Sequence, residues 1–292
     1  MRAVPEAASG FAALPPGGGV GMAIVLATAP AAAGRPAALL PWADGTVVER
    51  LVGQLAALGV GTTVVLARPA FQRPVQDAVG RAVTVKASAT AADDLRVIAA
   101  AARESVGALL VLYGEMVTHT EALGALLTNR KAGTGILAGG RRRRLAFRVQ
   151  TQRGRIMSAA SPYHSVHRPN AGFLGVLRVI PSDLEQLAAT AERLSELVAD
   201  PSEAWRKELD RKLERWRLSV AEAAAANEDE GGDDMGVPEH DIDEEDEDTG
   251  PAVVLSDRDE ARVRARAAAA PDDVAALLLL GLVRAGVGVS PV

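Results

Sequence analysis

The sequence predicts an α/β fold, a mostly parallel sheet with helices on both faces, on three observations. Met22–Pro69 reads as an apolar strand, a Gly- and Pro-bearing loop, a short Leu-Leu-Pro-Trp segment, an amphipathic helix and a second apolar strand. That succession is the strand–helix–strand unit of parallel sheets. Ala108–Tyr113 (ALLVLY) is an unbroken apolar run, as expected of a central strand covered on both sides. The third observation is compositional. The 292 residues are 48% hydrophobic but only 3% aromatic, so Ala, Val and Leu must fill the core, as in helix-covered sheets.

Each element has a local reason. Residues 1–20, rich in Ala, Pro and Gly, are expected to be disordered. Met22–Ala27 is the first strand. Thr46–Leu58 is the first helix, with Val47, Leu51, Leu55 and Leu58 on one face and Gly59 as its C-cap. Thr62–Ala67 is the second strand, followed by a short helix near Arg73–Val79 and a third strand at Ala82–Lys86. Thr90 can cap a helix over Ala92–Ser105, with Asp93 and Asp94 in the first turn, where negative charge suits the helix dipole. After ALLVLY, Thr118 or Thr120 starts a helix that ends near Arg130. Beyond Lys131, Gly135–Ala138, Leu145–Gln150 and Arg155–Ser158 read as short strands, with Gln152-Arg153-Gly154-Arg155 as a turn. Phe173–Val179 is a further strand, and Pro181 opens a helix to about Ala199.

The α/β domain is thus expected over 21–200. Residues 201–226 form a long polar helix with Trp205, Leu209, Leu213, Trp216 and Val220 at helical spacing. Residues 227–250 are an acidic low-complexity linker, read as a solvated spacer. Residues 251–292 hold two short helices, Asp257–Ala269 and Pro271–Ala285, with too little core to stand alone and expected to dock elsewhere. The ending at Val292 suggests a chain that continues into another module.

Charge and composition narrow the function. The net charge of −5 conceals an acidic surplus between Glu228 and Asp248 and a basic run at Arg141–Arg144. The remainder is net positive but lacks the interleaved aromatics of a single-strand nucleic-acid binder, so no nucleic-acid partner is expected. With no cysteine, disulfides, zinc–thiolate sites and thiol nucleophiles are excluded. Met22–Ala33 has the apolar run and small residues of a secretory signal. Glu6, Pro15, Pro16 and Gly17–Gly19 precede it with Arg2 as the one cation, so the short positive start is missing. No uninterrupted apolar run approaches the ~20 residues that span a bilayer, and a soluble, cytoplasmic chain is expected.

The order of motifs resembles the nucleoside-triphosphate transferase family, the sugar-phosphate and molybdopterin-type (MobA-like) nucleotidyltransferases. Pro36-Ala37-Ala38-Leu39-Leu40-Pro41 resembles the family's lysine segment, Asp44-Gly45-Thr46 its glycine turn, Val48-Glu49-Arg50-Leu51 its helix start and Leu58-Gly59-Val60 its helix exit. Leu109–Glu115 (LLVLYGE) is similar to the strand ending in Gly-Asp, whose carboxylate helps to hold magnesium. Asn170-Ala171-Gly172-Phe173 looks like the Asn-x-Gly lead-in near the sugar site. The resemblance covers about 22–198 and implies a Rossmann-like, GT-A type sheet with magnesium as cofactor. It implies nucleotide contacts from Ala27, Thr28, Gly34 and Arg35, catalytic roles for Arg35 and Glu115, metal binding by Glu115, and acceptor contacts from His164, His167, Asn170 and Gly172.

This chain departs from the family in the loop 27–35, where only Gly34 remains of the glycines, Pro30 has no amide hydrogen and Ala37 stands in the lysine's place. Glu115 replaces Asp, and no second metal carboxylate is placed. Arg35 reads equally as a phosphate ligand or an exposed loop charge. Tyr163, His164, His167 and Asn170 read as acceptor-pocket or plain loop residues. Arg141–Arg144 reads as a phosphate, anionic-lipid or acidic-tail contact, or as a solvated hairpin.

Two functions follow. One is a nucleotidyltransferase acting on a nucleoside triphosphate, CTP by preference, and a phosphorylated sugar or polyol such as inositol phosphate. The other is an inactive nucleotide-sensing or scaffolding module of a CDP-alcohol phosphotransferase membrane enzyme. The Ala/Arg-rich composition and acidic linker resemble actinobacterial bifunctional inositol-phosphate cytidylyltransferase/phosphotransferases, in which this half would sit at the inner membrane face. The phosphotransferase signature D-x2-D-G-x2-A-R is absent here. A glycosyltransferase of similar sheet architecture is a third reading, for which Gly114-Glu115 supplies half of the paired-carboxylate motif.

Overall fold

Four strands form the parallel half of one sheet, three of them with long apolar runs and the fourth a short edge strand with Thr84 and Lys86 exposed. They are β1 (Val20–Ala27), β4 (Thr62–Ala67), β5 (Thr84–Ala87) and β6 (Ala108–Tyr113), while β2 (Pro41–Trp42) and β3 (Gly45–Thr46) form a separate two-stranded hairpin. The computed structural model describes residues 19–31, 34–129, 133–140, 147–161, 164, 166, 168–199 and 273–292. The chain divides into two units: Met1–Ala199 with Ala270–Val292, and Asp200–Ala269, which lies outside the described residues. The expected linker and the helices at 201–226 and Asp257–Ala269 fall there too, as does the N-terminal 1–18.

Parallel pairing runs β6-β1-β4-β5, with Val25 opposite both Leu112 and Val65. On the other side of β6 lies β10 (Ala171–Val179), which is antiparallel. Next come β7 (Gly135–Gly139), antiparallel to β10, and β11 (Ser290–Pro291), parallel to β7. A hairpin of β8 (Arg148–Gln152) and β9 (Arg155–Ala159) joins β10 through Ala171 and Gly172. Its turn carries Arg153 and Gly154, both with positive φ, as the Gln-Arg-Gly-Arg sequence suggests. The sheet is therefore mixed: β10 runs against its neighbours, and β7 and β11 beyond it run the same way as β6.

Alternation sorts the core into two layers. Ile24 and Leu26 of β1, and Leu109 and Val111 of β6, face one way. They meet α3 (Ala91–Glu104), α5 (Leu184–Ala199) and α6 (Val274–Arg284). Ala23, Val25, Leu110 and Leu112 face the other way, against α1 (Val47–Ala57), α2 (Gln72–Val79) and α4 (Thr120–Thr128). α1 and α3 each begin with a reciprocal capping box, Thr46 with Glu49 and Thr90 with Asp93, which satisfies amides the helices leave open. At the far end of α4, Arg178 Nη1 donates to the carbonyls of Leu126 and Asn129 at 3.1 and 3.0 Å, so a buried cation closes that helix terminus.

Two features depart from the expectation. Asp94 does more than complement a dipole: its side chain is 0% exposed and receives both Nη atoms of Arg68, at 3.2 and 3.1 Å. Arg68 Nη1 also donates to the Ser88 carbonyl at 3.1 Å, so the chain ends beyond β4 and β5 are tied to α3. The α/β domain is also not confined to 21–200. The docking partner of 273–292 is the sheet itself: Val274 through Leu280 and Leu282 are buried in the layer of α3 and α5. At the sheet edge, Val292 N donates to the Ile136 carbonyl and Ala138 N to the Val292 carbonyl, both at 3.0 Å. No helix among the described residues is long and apolar enough to cross a membrane.

The five leucines of α6 are worth about 1.5–3 kcal/mol each when buried, which together rivals the roughly 5–15 kcal/mol net stability of a domain. Deleting 273–292 is therefore expected to abolish cooperative thermal unfolding, as read by near-UV circular dichroism. Arg68→Ala leaves the Asp94 charge buried and is expected to cost about 3 kcal/mol, checked by urea unfolding.

Candidate functional site

In an open α/β sheet, ligands sit beyond the carboxyl ends of the parallel strands. Here that edge is formed by the ends of β1 and β6, by Arg68 and Ser88 after β4 and β5, and by the amino end of β10, which runs the opposite way. Of the sequence candidates, Ala27, Thr28, Gly34, Arg35 and Glu115 follow or close these two neighbouring strands, and Gly172 opens β10. The topology thus brings the first five to one edge of the sheet.

Glu115 is held there by a close approach. Gly114 N donates to the Leu26 carbonyl at 2.8 Å, and a Cβ on Gly114 would stand 2.9 Å from Ala27 Cα. The end of β6 therefore lies directly on the end of β1. Glu115, next in sequence, is partly buried, and its Oε2 is buried with no hydrogen-bond partner among the described residues. Burial pushes its carboxyl above the ordinary glutamate range, against the opposing pull of a bond from its own backbone amide. The loop it opens is anchored from α1: Gln54 Nε2 donates to the Thr118 carbonyl and to Thr120 Oγ1, each at 3.0 Å.

The loop after β1 folds back on itself. Ala31 N donates to the Arg35 carbonyl at 2.6 Å, Ala37 N to the Ala29 carbonyl at 2.8 Å and Gly34 N to the Ala31 carbonyl at 3.3 Å. Pro30 and Pro36 face each other across this turn. Three amides are consumed internally and Pro30 has none, which leaves Thr28, Ala29 and Arg35 as described loop amides outside these bonds. Arg35 itself is exposed, while Thr28 is buried at the foot of the loop. Among the described residues these amides do not form the open ring that cradles phosphates.

The acceptor candidates separate. Asn170 is occupied by β8: its Oδ1 accepts from Thr151 N and Oγ1 at 2.8 and 3.1 Å, and its Nδ2 donates to the Thr151 carbonyl at 2.8 Å. It acts as a side-chain extension of the β-ladder. Gly172 pairs with Gly139 on one side and Arg148 on the other, where β10 passes from β7 to β8. His164 Nε2 lies 3.2 Å from Ser158 Oγ, at the end of β9. His167, Tyr163 and Arg141–Arg144 lie outside the described residues.

Several residues that build this edge were not among the sequence candidates. Tyr113 closes β6 and packs against Phe147 and Phe173, with ring centroids 6.0 and 6.3 Å away. Burial raises its phenol well above the usual range, with the Asp273 and Glu115 carboxylates adding to the effect and the Ala276 amide opposing it. Gly175 makes room for that ring, and a glycine inside a predicted strand is the signal that marks such an approach. Gln54, a polar residue beside the apolar face of α1, is a second signal of the same kind. Trp42, 41% exposed under the Arg50 guanidinium at 5.0 Å, sits on a two-residue hairpin just before α1. Among the described residues no group of three or more His, Asp or Glu could hold a metal ion.

No protein-family profile matches the chain, and no curated protein does. Among solved structures, one described as the inositol-1-phosphate CTP transferase from T. maritima is similar in chain path. The identity is 13% and the TM-score 0.49, over 62% of this chain and 82% of that one.

The raised affinity of Glu115 for its proton fixes a sign. Its neutral form suits the folded environment, so its contribution favours folding below the ordinary glutamate range and is lost as the pH rises through and above it. Glu115→Gln is therefore expected to raise the urea midpoint at pH 8 relative to the parent, with the difference shrinking toward pH 4.

Proposed function

We propose that the carboxyl edge of this sheet binds a nucleoside triphosphate and that the domain transfers its nucleotidyl group to a phosphorylated sugar or polyol. The observation that carries the reading is Glu115: a carboxylate with a buried, unpartnered oxygen, fixed where the ends of β1 and β6 meet. Such an oxygen fits a hard divalent cation, for which magnesium is the choice beside phosphates. Bound there, magnesium would supply charge neutralisation for the polyphosphate.

The remaining roles fall to the chain. Arg35, exposed on the turn after β1, offers a guanidinium to the phosphates. The Thr28 and Ala29 amides lie at the foot of the same turn. In the proposed reaction a phosphate oxygen of the acceptor attacks the α-phosphorus in line, the bond to the β-phosphate oxygen breaks, and pyrophosphate leaves. Positioning and neutralisation dominate such transfers. CTP and an inositol phosphate are the favoured pair on the sequence resemblance above.

A second reading, a nucleotide-sensing or scaffolding module without turnover, draws on the closed turn. With Ala31, Gly34 and Ala37 amides spent internally and Ala37 in the lysine's place, transition-state charge has few donors to meet it.

Isothermal titration against ATP, GTP, CTP and UTP with magnesium, followed by a pyrophosphate-release assay with inositol phosphate, separates the two. Binding with release assigns the transferase. Binding alone assigns the nucleotide-sensing module, and no binding of any triphosphate removes the transferase and leaves the scaffolding module. Ala37 is partly exposed at the start of a short 3-10 turn, so Ala37→Lys is expected to fold and to tighten triphosphate binding by roughly tenfold, the scale of one charge-assisted contact. An unchanged affinity in the folded variant counts against this placement of the phosphates.

A further inference from the structure

Tyr113 is gripped by three elements besides its own strand. Phe147 and Phe173 flank its ring. Gly175 has φ +81 where β10 slips register against β7, and any Cβ there would collide with the Tyr113 ring. The hydroxyl oxygen accepts the Ala276 amide at 3.3 Å, from 163 residues further along the sequence. Ala276 stands in the first turn of α6, where amides have no partner within the helix.

A phenylalanine would fill the same volume. The hydroxyl is the part that joins β6 to α6, and its desolvation is offset by that bond. Beyond Tyr113 the chain has little slack. Gly114 is bonded to Leu26 and packed on Ala27, Met116 N returns to the Tyr113 carbonyl at 3.3 Å, and Thr118 is held by Gln54. Glu115 therefore lies in a short turn tethered at one end to α6 through Tyr113 and at the other to α1 through Gln54.

We infer that Tyr113 is a positioning residue: the seating of 273–292 fixes its hydroxyl, and through the packed Gly114 that anchor sets the place of the Glu115 carboxylate. The anchoring itself is independent of any ligand, whereas its consequence for binding rests on the nucleotide reading above.

The test is Tyr113→Phe in the full chain, with hydrogen exchange resolved by residue and manganese–CTP affinity measured by proton relaxation. Exchange at the 114–118 amides is expected to quicken roughly fivefold, the scale of one modest hydrogen bond, with α3 amides unchanged. Manganese–CTP affinity is expected to fall by a similar factor. Gln54→Leu, which releases the opposite tether, is expected to quicken the same amides. Unchanged exchange at 114–118 in Tyr113→Phe overturns the inference whatever the protein binds. A uniform rise that includes α3 overturns it as well, because that is general loosening. Quicker exchange with unaltered manganese–CTP affinity overturns the link to the carboxylate. If the parent chain binds no manganese–CTP, the nucleotide reading falls and the exchange data alone decide the anchoring.

Discussion

The contact on which the candidate site depends is the one that leaves Gly114 no room for a side chain. Parallel strands ordinarily part company at their carboxyl ends, where the chain fans out into loops. Here the amide of Gly114 extends the hydrogen bonding between β6 and β1 by one more step, to Leu26, and its α-carbon rests on Ala27. The two strands accordingly stay together to their ends, and the first side chain beyond Gly114 is the Glu115 carboxylate. An alanine at 114 would have to push the ends of β1 and β6 apart, and the geometry of Glu115 would move with them.

Against that rigid base, the loop after β1 has turned its polar backbone inward. The amides of Ala31, Gly34 and Ala37 donate to carbonyls of the same turn, and Pro30 faces Pro36 across it. A phosphate cradle keeps donors unsatisfied until a ligand arrives, which costs stability in the empty protein. In the described part of this turn the donors of Ala31, Gly34 and Ala37 are already satisfied.

Strands and helices of the parallel half were legible because two local rules act there without conflict. Apolar runs bounded by Gly and Pro gave β1, β4 and β6, and Thr90, followed by Asp93 and Asp94, announced its helix as a cap. Glu115 was legible by position, since it follows the most apolar strand. Other features depend on partners remote in sequence, and no local pattern encodes those. The pairing of Asp94 with Arg68 hides behind a favourable first-turn charge. The occupation of Asn170 by Thr151 makes a loop residue look free when its amide is already engaged. The place of α6 was the least legible, because an apolar helix beyond an acidic stretch specifies burial without specifying where.

That last element bears on how the domain is made. One face of the sheet is closed by α6, and its edge is extended by β11, yet both are encoded after the whole of 200–272. During synthesis at about 5–20 residues per second, the apolar residues of β6, β10, α3 and α5 that will lie under α6 are all translated first. They then wait on the order of 5–20 s for their cover. Until then that apolar surface stays unsealed, and the high sequence separation of the closing contacts slows the final folding step.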